Sequence, residues 1–297
     1  MKPAACWALL LLAGCATTPA LDRSAPQAVS PAYQATTWTF GTAESAMLAE
    51  QGFRMLVAHV EATLPALQGD AQFTSLIAER MEEGRPVMRA CNAETRLRPA
   101  VIFDVDETLV WNAGAQHDQA RRNADFDPAR WALWEQQGGD RLLPVPGAVA
   151  AVQRLRALGV TPIFVSNRAT ANAVQTAAAL DRLGFGPVVH KDTMLLDGDA
   201  PGGSRKHNRR ALVAERFCVI AQAGDQMGDF ADAIDYDRAG NRRSVAERGA
   251  VAREAFGALW GRGWFLVANP VYGRWNTPAL TLDDAVAPAN RWTPLEN

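Results

Sequence analysis

VIFDVDETLV, residues 101–110, is the stretch whose reading decides the fold. A short apolar strand, expected over 100–105, runs straight into two carboxylates, Asp104 and Asp106. Residues alternate sides along a strand, so positions i and i+2 point the same way. Acids aimed together from the carboxyl end of a buried strand sit where open α/β sheets bind their ligands. Left bare, such a pair repels: two unit charges about 4 Å apart cost roughly 4 kcal/mol at an effective dielectric near 20. A cation or a proton has to offset that cost. Two plainer readings compete, a helix start capped through Asp106–Thr108 and a structural calcium loop.

Outward from this stretch, strands and helices alternate. Met47, Leu48, Met55, Leu56, His59, Val60 and Leu64 recur at helical spacing over 43–64, and 73–82 reads as a further helix. Residues 111–140 mix polar residues with tryptophan and are expected to form an insertion over the strand ends, with Trp131 and Trp134 in its core. Pro146-Gly147 opens a helix through Leu158, and VTPIFVSNR (160–168) is a second strand with a polar exit. An alanine-rich helix over 169–184 leads to a short strand near 187–189 and a turn at Asp197–Gly203. An arginine-rich helix follows from about 205. FCVIAQAGD (217–225) is another apolar strand, ending in Asp225; a helix near 246–260 precedes a last strand at 264–268. This order predicts an α/β fold with a doubly wound, mostly parallel sheet, N-terminal helices and a small cap insertion. Neither a G-x-x-x-x-G-K-[ST] loop nor a G-x-G-x-x-G fingerprint occurs, so phosphate-loop and dinucleotide binding are unsupported.

The first residues read as a targeting signal. Lys2 supplies a positive start and Ala4 to Ala13 an apolar core of about ten residues, too short for the roughly 20 that span a bilayer. Leu12-Ala13-Gly14-Cys15 is similar to a bacterial lipobox, which implies a signal over 1–14 and lipidation of Cys15. Ala16, rather than aspartate, follows the cysteine; by resemblance to Gram-negative lipoproteins this points to the outer membrane of the cell envelope. Two or more acyl chains suffice for stable anchoring. An ordinary secretory signal with an incidental cysteine is the alternative. Residues 15–37, rich in Pro, Ala, Ser and Thr, are expected to be a flexible tether, leaving 38–297 as one domain with its insertion at about 111–140.

A formal net charge of −2 and the lack of a basic block argue against a nucleic-acid partner. The four histidines, His59, His117, His190 and His207, show no zinc spacing. With Cys6 in the signal and Cys15 lipidated, Cys91 and Cys218 remain in an oxidising compartment. Two buried thiols are the expected state, a disulfide the alternative.

Three strand ends carry polar groups suited to one reaction: Asp104 and Asp106; Ser166, Asn167 and Arg168; then AGDQMGDF with Asp225 and Asp229. Lys206 heads the helix between the second and third groups. It is one of three lysines in the chain, where arginine serves almost everywhere else. Cleaving a phosphomonoester needs such groups. One carboxylate attacks phosphorus, and a second acid protonates the departing alkoxide. Hydroxyl and ammonium donors hold the phosphoryl oxygens, and a divalent cation screens anion from anion. Carboxylates without His or Cys favour a hard ion, hence Mg²⁺.

DVDET, VSNR, the lysine and GDQMGDF, in that order, resemble the four motifs of the haloacid dehalogenase (HAD) superfamily. With the lipobox and NPVYGRW (269–275), the chain is similar to class C bacterial acid phosphatases, the lipoprotein e family of 5′-nucleotidases, over roughly residues 40–276. The resemblance implies Asp104 as nucleophile and metal ligand. Asp106 becomes general acid/base and lends its backbone carbonyl to the metal. It further implies phosphate binding by Ser166, Asn167 and Lys206, with Asp225 a metal ligand and Asp229 supporting the metal. Tyr272 matches one side of an aromatic clamp on a nucleobase. An acid two residues after the nucleophile excludes haloalkane dehalogenation, and an acidic activity optimum is expected because Asp106 must carry a proton. Trp111-Asn112-Ala113-Gly114-Ala115 departs from the family's usual acid-Asn-Ser-Pro-Tyr, and Gln226 replaces an asparagine. Both leave the reacting groups intact, but the first can reshape the substrate pocket. The resemblance leaves a homodimer open. The rival reading from another class is a haem- or nucleotide-binding surface lipoprotein with a vestigial site.

Overall fold

The computed structural model describes residues 31–68, 73–91, 98–275, 281, 285, 286 and 288–292. The signal, lipobox and Cys15 lie outside them. Two helices lead, α1 (Pro31–Gly41) and α2 (Ala43–Gln68), followed by strands β1 (Phe73–Glu82) and β2 (Arg85–Cys91). Next come β3 (Arg98–Phe103), β4 (Val110–Trp111), α3 (Ala113–Arg122), α4 (Pro128–Gln137) and β5 (Leu143–Pro144). The chain continues through α5 (Ala148–Ala157), β6 (Thr161–Ala169), α6 (Ala173–Arg182), β7 (Met194–Asp197), α7 (His207–Arg216) and β8 (Phe217–Gly224). It closes with α8 (Met227–Phe230), α9 (Asp232–Asp235), α10 (Val245–Glu254) and β9 (Trp264–Leu266).

The central sheet runs β7-β6-β3-β8-β9, every pairing parallel. Parallel strands covered on both faces need continuous apolar runs, and β8 is buried at all eight positions. Alternation divides β3 between two layers. Val101 and Phe103 pack with Leu56 and Val60 of α2 and Leu155 of α5, while Ala100 and Ile102 pack with Ile77 of β1 and Val213 of α7. The doubly wound, mostly parallel fold is therefore as the sequence implies.

Four expectations need correction. Residues 73–82 are a strand, not a helix, and pair antiparallel with β2 through a two-residue turn. Glu83 and Gly84 hold φ of 49° and 78° there, the positive pair that tight hairpins demand, and Glu-Gly is a weaker hairpin signal than Asn-Gly. The strand placed near 187–189 lies instead at β7. Met194, Leu195 and Leu196 are buried, whereas Val189 is half exposed and accepts turn hydrogen bonds from Thr193 N and Met194 N. The segment 31–37, assigned to the tether, belongs to α1, which begins on a proline as first helical turns tolerate. Cys91 and Cys218 are joined as a disulfide rather than kept as thiols, with Cα atoms 5.6 Å apart and β2 tied to β8.

Candidate active site

The chain leaves β3 toward β6 and β7 on one side and returns to β8 and β9 on the other, so the sheet switches direction beside β3. Such crevices, beyond the carboxyl ends of the strands, are where doubly wound sheets place ligands. Asp104 follows β3 and Asp225 follows β8, and the two ends are joined where Asp104 N donates to Ala223 O at 2.9 Å. Asp229 enters from α8. Its Oδ2 accepts from Asp225 N at 3.1 Å and Gln226 N at 2.8 Å, a helix-capping role, while its Oδ1 takes Lys206 Nζ at 2.7 Å. This close approach requires Gly224, where a Cβ would lie 2.4 Å from that of Asp229. Lys206, buried just ahead of α7, also donates to Asp104 Oδ1. Asp225 is fixed by Thr108 Oγ1 at 3.2 Å, Gln226 Nε2 at 2.8 Å and Asn269 Nδ2 at 2.7 Å.

Carboxylate oxygens of Asp104, Asp225 and Asp229 all fall within 4.8 Å of one another. Burial pushes the Asp104 carboxyl well above its ordinary range; Lys206 opposes this, and Asp229, Asp225 and Asp106 add to it. Burial likewise lifts Asp225 to about 7, with Asp229 adding to the shift and hydrogen bonds from Asn269 and Gln226 resisting it. Burial alone would lower the Lys206 ammonium, but Asp104 and Asp229 together raise it. Three buried carboxylates thus share one ammonium. An oxygen-only donor set of this charge fits a hard divalent cation, which would remove the cost of keeping them ionised.

Asp106 faces different company. β3 ends at Phe103, so strand alternation does not extend to Asp106, yet both acids line one cavity of about 1770 Å³. Its side chain stands outside the three-carboxylate cluster. Arg168 Nη2 donates to Oδ1 at 2.7 Å, Asn112 Nδ2 to the same oxygen at 2.9 Å, and Ser166 Oγ to Oδ2 at 3.3 Å. Asn167 is exposed at the cavity wall, its Oδ1 accepting from Arg209 Nη2 at 2.6 Å, which leaves the amide nitrogen as the free end. Arg209 and Arg210 of α7 are buried braces: Arg209 also reaches Ser166 O, and Arg210 reaches Gly228 O at 2.7 Å.

Tyr272 also lines the cavity, and its hydroxyl donates to Glu107, which links NPVYGRW back to DVDET. Burial, with Asp106 nearby, lifts Glu107 to about 7 against the hydrogen bonds from Tyr272 and Asn112. Glu107 adopts φ +56°, unusual for a side-chain-bearing residue. Trp134 packs against the main core cluster, as the sequence implies, whereas Trp131 does not. Trp131 lines the cavity over Arg168, 5.9 Å from its guanidinium, beside the exposed Phe126. Trp134 Nε1 donates to Asn112 at 2.7 Å. Asn112, Thr108, Glu107 and Asn269 are site residues that motif reading passed over. Glu107 and Thr108 lie within DVDET, Asn112 six residues after Asp106 and Asn269 at the head of NPVYGRW, and a polar side chain amid buried neighbours is the available signal.

Residues 25–275 match the family model described as HAD superfamily, subfamily IIIB (acid phosphatase). Among solved structures, the class C acid phosphatase from Bacillus anthracis is similar with a TM-score of 0.64 and 24% identity, covering 82% of this chain and 86% of that one. The same enzyme with tungstate bound gives 0.63 at 24% identity over the same shares. With most of its length inside the family model, the chain belongs to the HAD subfamily IIIB acid phosphatases, enzymes that hydrolyse phosphoric monoesters.

Proposed function

We propose that the protein is a Mg²⁺-dependent acid phosphatase that takes phosphate from nucleoside 5′-monophosphates or similar small esters through an aspartyl-phosphate on Asp104. The observation that carries this reading is the Lys206 ammonium shared by Asp104 and Asp229 within a carboxylate cluster at the sheet's switch point.

Asp104, Asp225 and Asp229, with the backbone carbonyl of Asp106, would hold the cation. When bound, it supplies positive charge that lets an anionic nucleophile meet an anionic phosphoryl group. Asp104 attacks phosphorus, the ester P–O bond breaks, and Asp106 gives its proton to the leaving oxygen. Ser166 Oγ, the Asn167 amide and Lys206 Nζ hold the phosphoryl oxygens, Ser166 by turning from Asp106 to substrate. Water then attacks the acyl phosphate, giving a proton back to Asp106, and phosphate leaves. Tyr272 supplies a ring for a flat leaving group. Anchoring through Cys15 would place the enzyme in the cell envelope, at the outer membrane, where phosphorylated nutrients need dephosphorylation before uptake.

The test is hydrolysis of p-nitrophenyl phosphate by wild type and Asp104→Asn, each with EDTA and with added Mg²⁺. A panel of nucleotides and sugar phosphates ranked by kcat/KM then assigns the substrate. Hydrolysis that survives Asp104→Asn, or is indifferent to EDTA, overturns the mechanism. A flat ranking overturns the nucleotide preference alone.

A further inference from the structure

The insertion over 111–140 reaches into the site through one buried guanidinium. Arg168, 2% exposed at the end of β6, sets Nε 2.9 Å and Nη2 2.7 Å from Asp106 Oδ1, with Nε also 3.2 Å from Oδ2. Asn112, wholly buried at the start of the insertion, adds its Nδ2 to Oδ1. The Asn112 carbonyl oxygen is held in turn by Arg168 Nη2 at 2.9 Å and Trp134 Nε1 at 2.7 Å. Trp131 covers the guanidinium and donates to buried Glu135 at 2.7 Å. Glu135 accepts from Ala169 N at 3.2 Å and Asn172 Nδ2 at 2.7 Å, which ties α4 to the segment that follows Arg168.

This arrangement is more selective than charge neutralisation requires. A carboxylate on two rotatable bonds samples several wells, and a planar fork fixes it where a point charge would not. The two oxygens are also loaded unequally. Oδ1 takes the short contacts, while Oδ2 keeps only Arg168 Nε at 3.2 Å and Ser166 Oγ at 3.3 Å. Once Ser166 turns to a phosphoryl oxygen, Oδ2 is the atom left to exchange a proton with substrate. Displacements of an ångström in such a group are costly, so the aim of Oδ2 has kinetic consequences.

We propose that Arg168 and Asn112 are positioning residues that aim Asp106 Oδ2 at the ester oxygen, so that the insertion takes part in catalysis through them. This rests on Asp106 acting as the acid/base.

Leaving groups separate positioning from general damage. An alkyl ester such as glycerol phosphate needs its oxygen protonated as it departs, whereas p-nitrophenolate leaves readily without a proton. kcat/KM is measured on both esters for Arg168→Met, Asn112→Ala and Asp106→Asn, with folding followed by circular dichroism. A misplaced general acid forfeits part of the 10²–10⁴-fold such catalysis contributes, so we expect Arg168→Met to lose about 10²-fold on the alkyl ester and less than about 10-fold on p-nitrophenyl phosphate. Asn112→Ala, which keeps the fork, loses about 10-fold on the alkyl ester alone. Should Arg168→Met not fold, Asn112→Ala decides. Equal losses on both esters in the folded variants, beside a selective loss in Asp106→Asn, overturn the positioning role and leave the acid/base reading standing. Equal losses in Asp106→Asn overturn the acid/base reading, and the positioning role with it.

Discussion

On one wall of the cavity three buried carboxylates, Asp104, Asp225 and Asp229, share the single ammonium of Lys206; on the other, Asp106 meets Arg168 one for one. The first wall is built by strand ends and α8, the second by the end of β6 and the insertion. Both are buried, and Glu107 and Glu135 also lie near Arg168, yet only Asp106 has a guanidinium in direct contact to itself. Burying unmatched charge costs several kcal/mol per ion, and the chain meets that cost at Asp106 with its own side chains. At Asp104 it leaves room for positive charge from outside. The wall that must meet an anionic phosphoryl group is left open to charge from outside, and the wall that must hold a direction is closed.

The comparison breaks first at Asp104. If the unbalanced wall holds the nucleophile, Asp104→Asn removes the attacking group and at least about 10⁴-fold of kcat, as nucleophile losses do elsewhere. Assay of p-nitrophenyl phosphate hydrolysis reads this directly. A residual rate above one per cent of wild type would remove Asp104 from the role.

The charge imbalance should also appear in stability. With no cation bound, Asp104 and Asp225 have folded-state pKa values above their unfolded ones, Asp225 near 7. At these two groups the native state then binds protons more tightly than the unfolded chain, so their contribution to metal-free stability is fully present below about pH 4 and is lost as pH rises through about 7. Bound cation competes with those protons and reverses the slope, so the loaded protein weakens on acidification. Thermal midpoints across this range, in EDTA and in Mg²⁺, should therefore converge at low pH and separate near neutrality, by an amount set by RT ln(1 + [L]/Kd), about 2.7 kcal/mol at a hundredfold excess over Kd. Parallel curves would mean that the cluster holds no ion.

Lys206→Met takes away the ammonium that pairs with Asp104 and Asp229 on the unbalanced wall. Loss of a charged donor aimed at the phosphoryl group costs about 10²–10³-fold in kcat, with KM also raised. If Arg209 or added Mg²⁺ takes over its task, the loss falls below about 10-fold, and Lys206 is then a structural counter-ion rather than a phosphate binder.

These walls were unequally legible in sequence. The unbalanced one could be read because its acids sit at fixed places, strand-end DVDET and GDQMGDF, and because a lone lysine stands out among arginines. The balanced one could not. Arg168 stood in plain view within VSNR, but its partner Asn112 lies 56 residues away, and only the folded insertion brings them together. Trp131 reads as core beside Trp134 for the same reason: an aromatic at helical spacing carries no mark of which face meets a cavity. The β1–β2 hairpin is hard to read in sequence because apolar residues in a short run satisfy two periods at once, and Glu-Gly is not a turn that announces itself. The disulfide depended on β2 ending beside the start of β8, which is a property of the packed sheet and not of either cysteine's neighbours.

The smallest effect tests where the two walls meet. Tyr272 donates its hydroxyl to Glu107, and Glu107 accepts from Asn112 N at 2.9 Å, so one ring at the cavity edge is joined to the Asp106 side through DVDET. If Tyr272 serves by stacking, Tyr272→Phe keeps the ring and most of the activity, while Tyr272→Ala loses roughly 1–3 kcal/mol of binding to nucleotides and almost none to glycerol phosphate. If it serves instead by holding Glu107, Phe and Ala fail alike on every ester, since both lack the hydroxyl and leave a buried carboxylate short of a donor. KM across nucleotides and glycerol phosphate for the two variants separates these outcomes. A Phe variant that behaves as Ala would move Tyr272 from substrate recognition into the scaffold that supports Asp106.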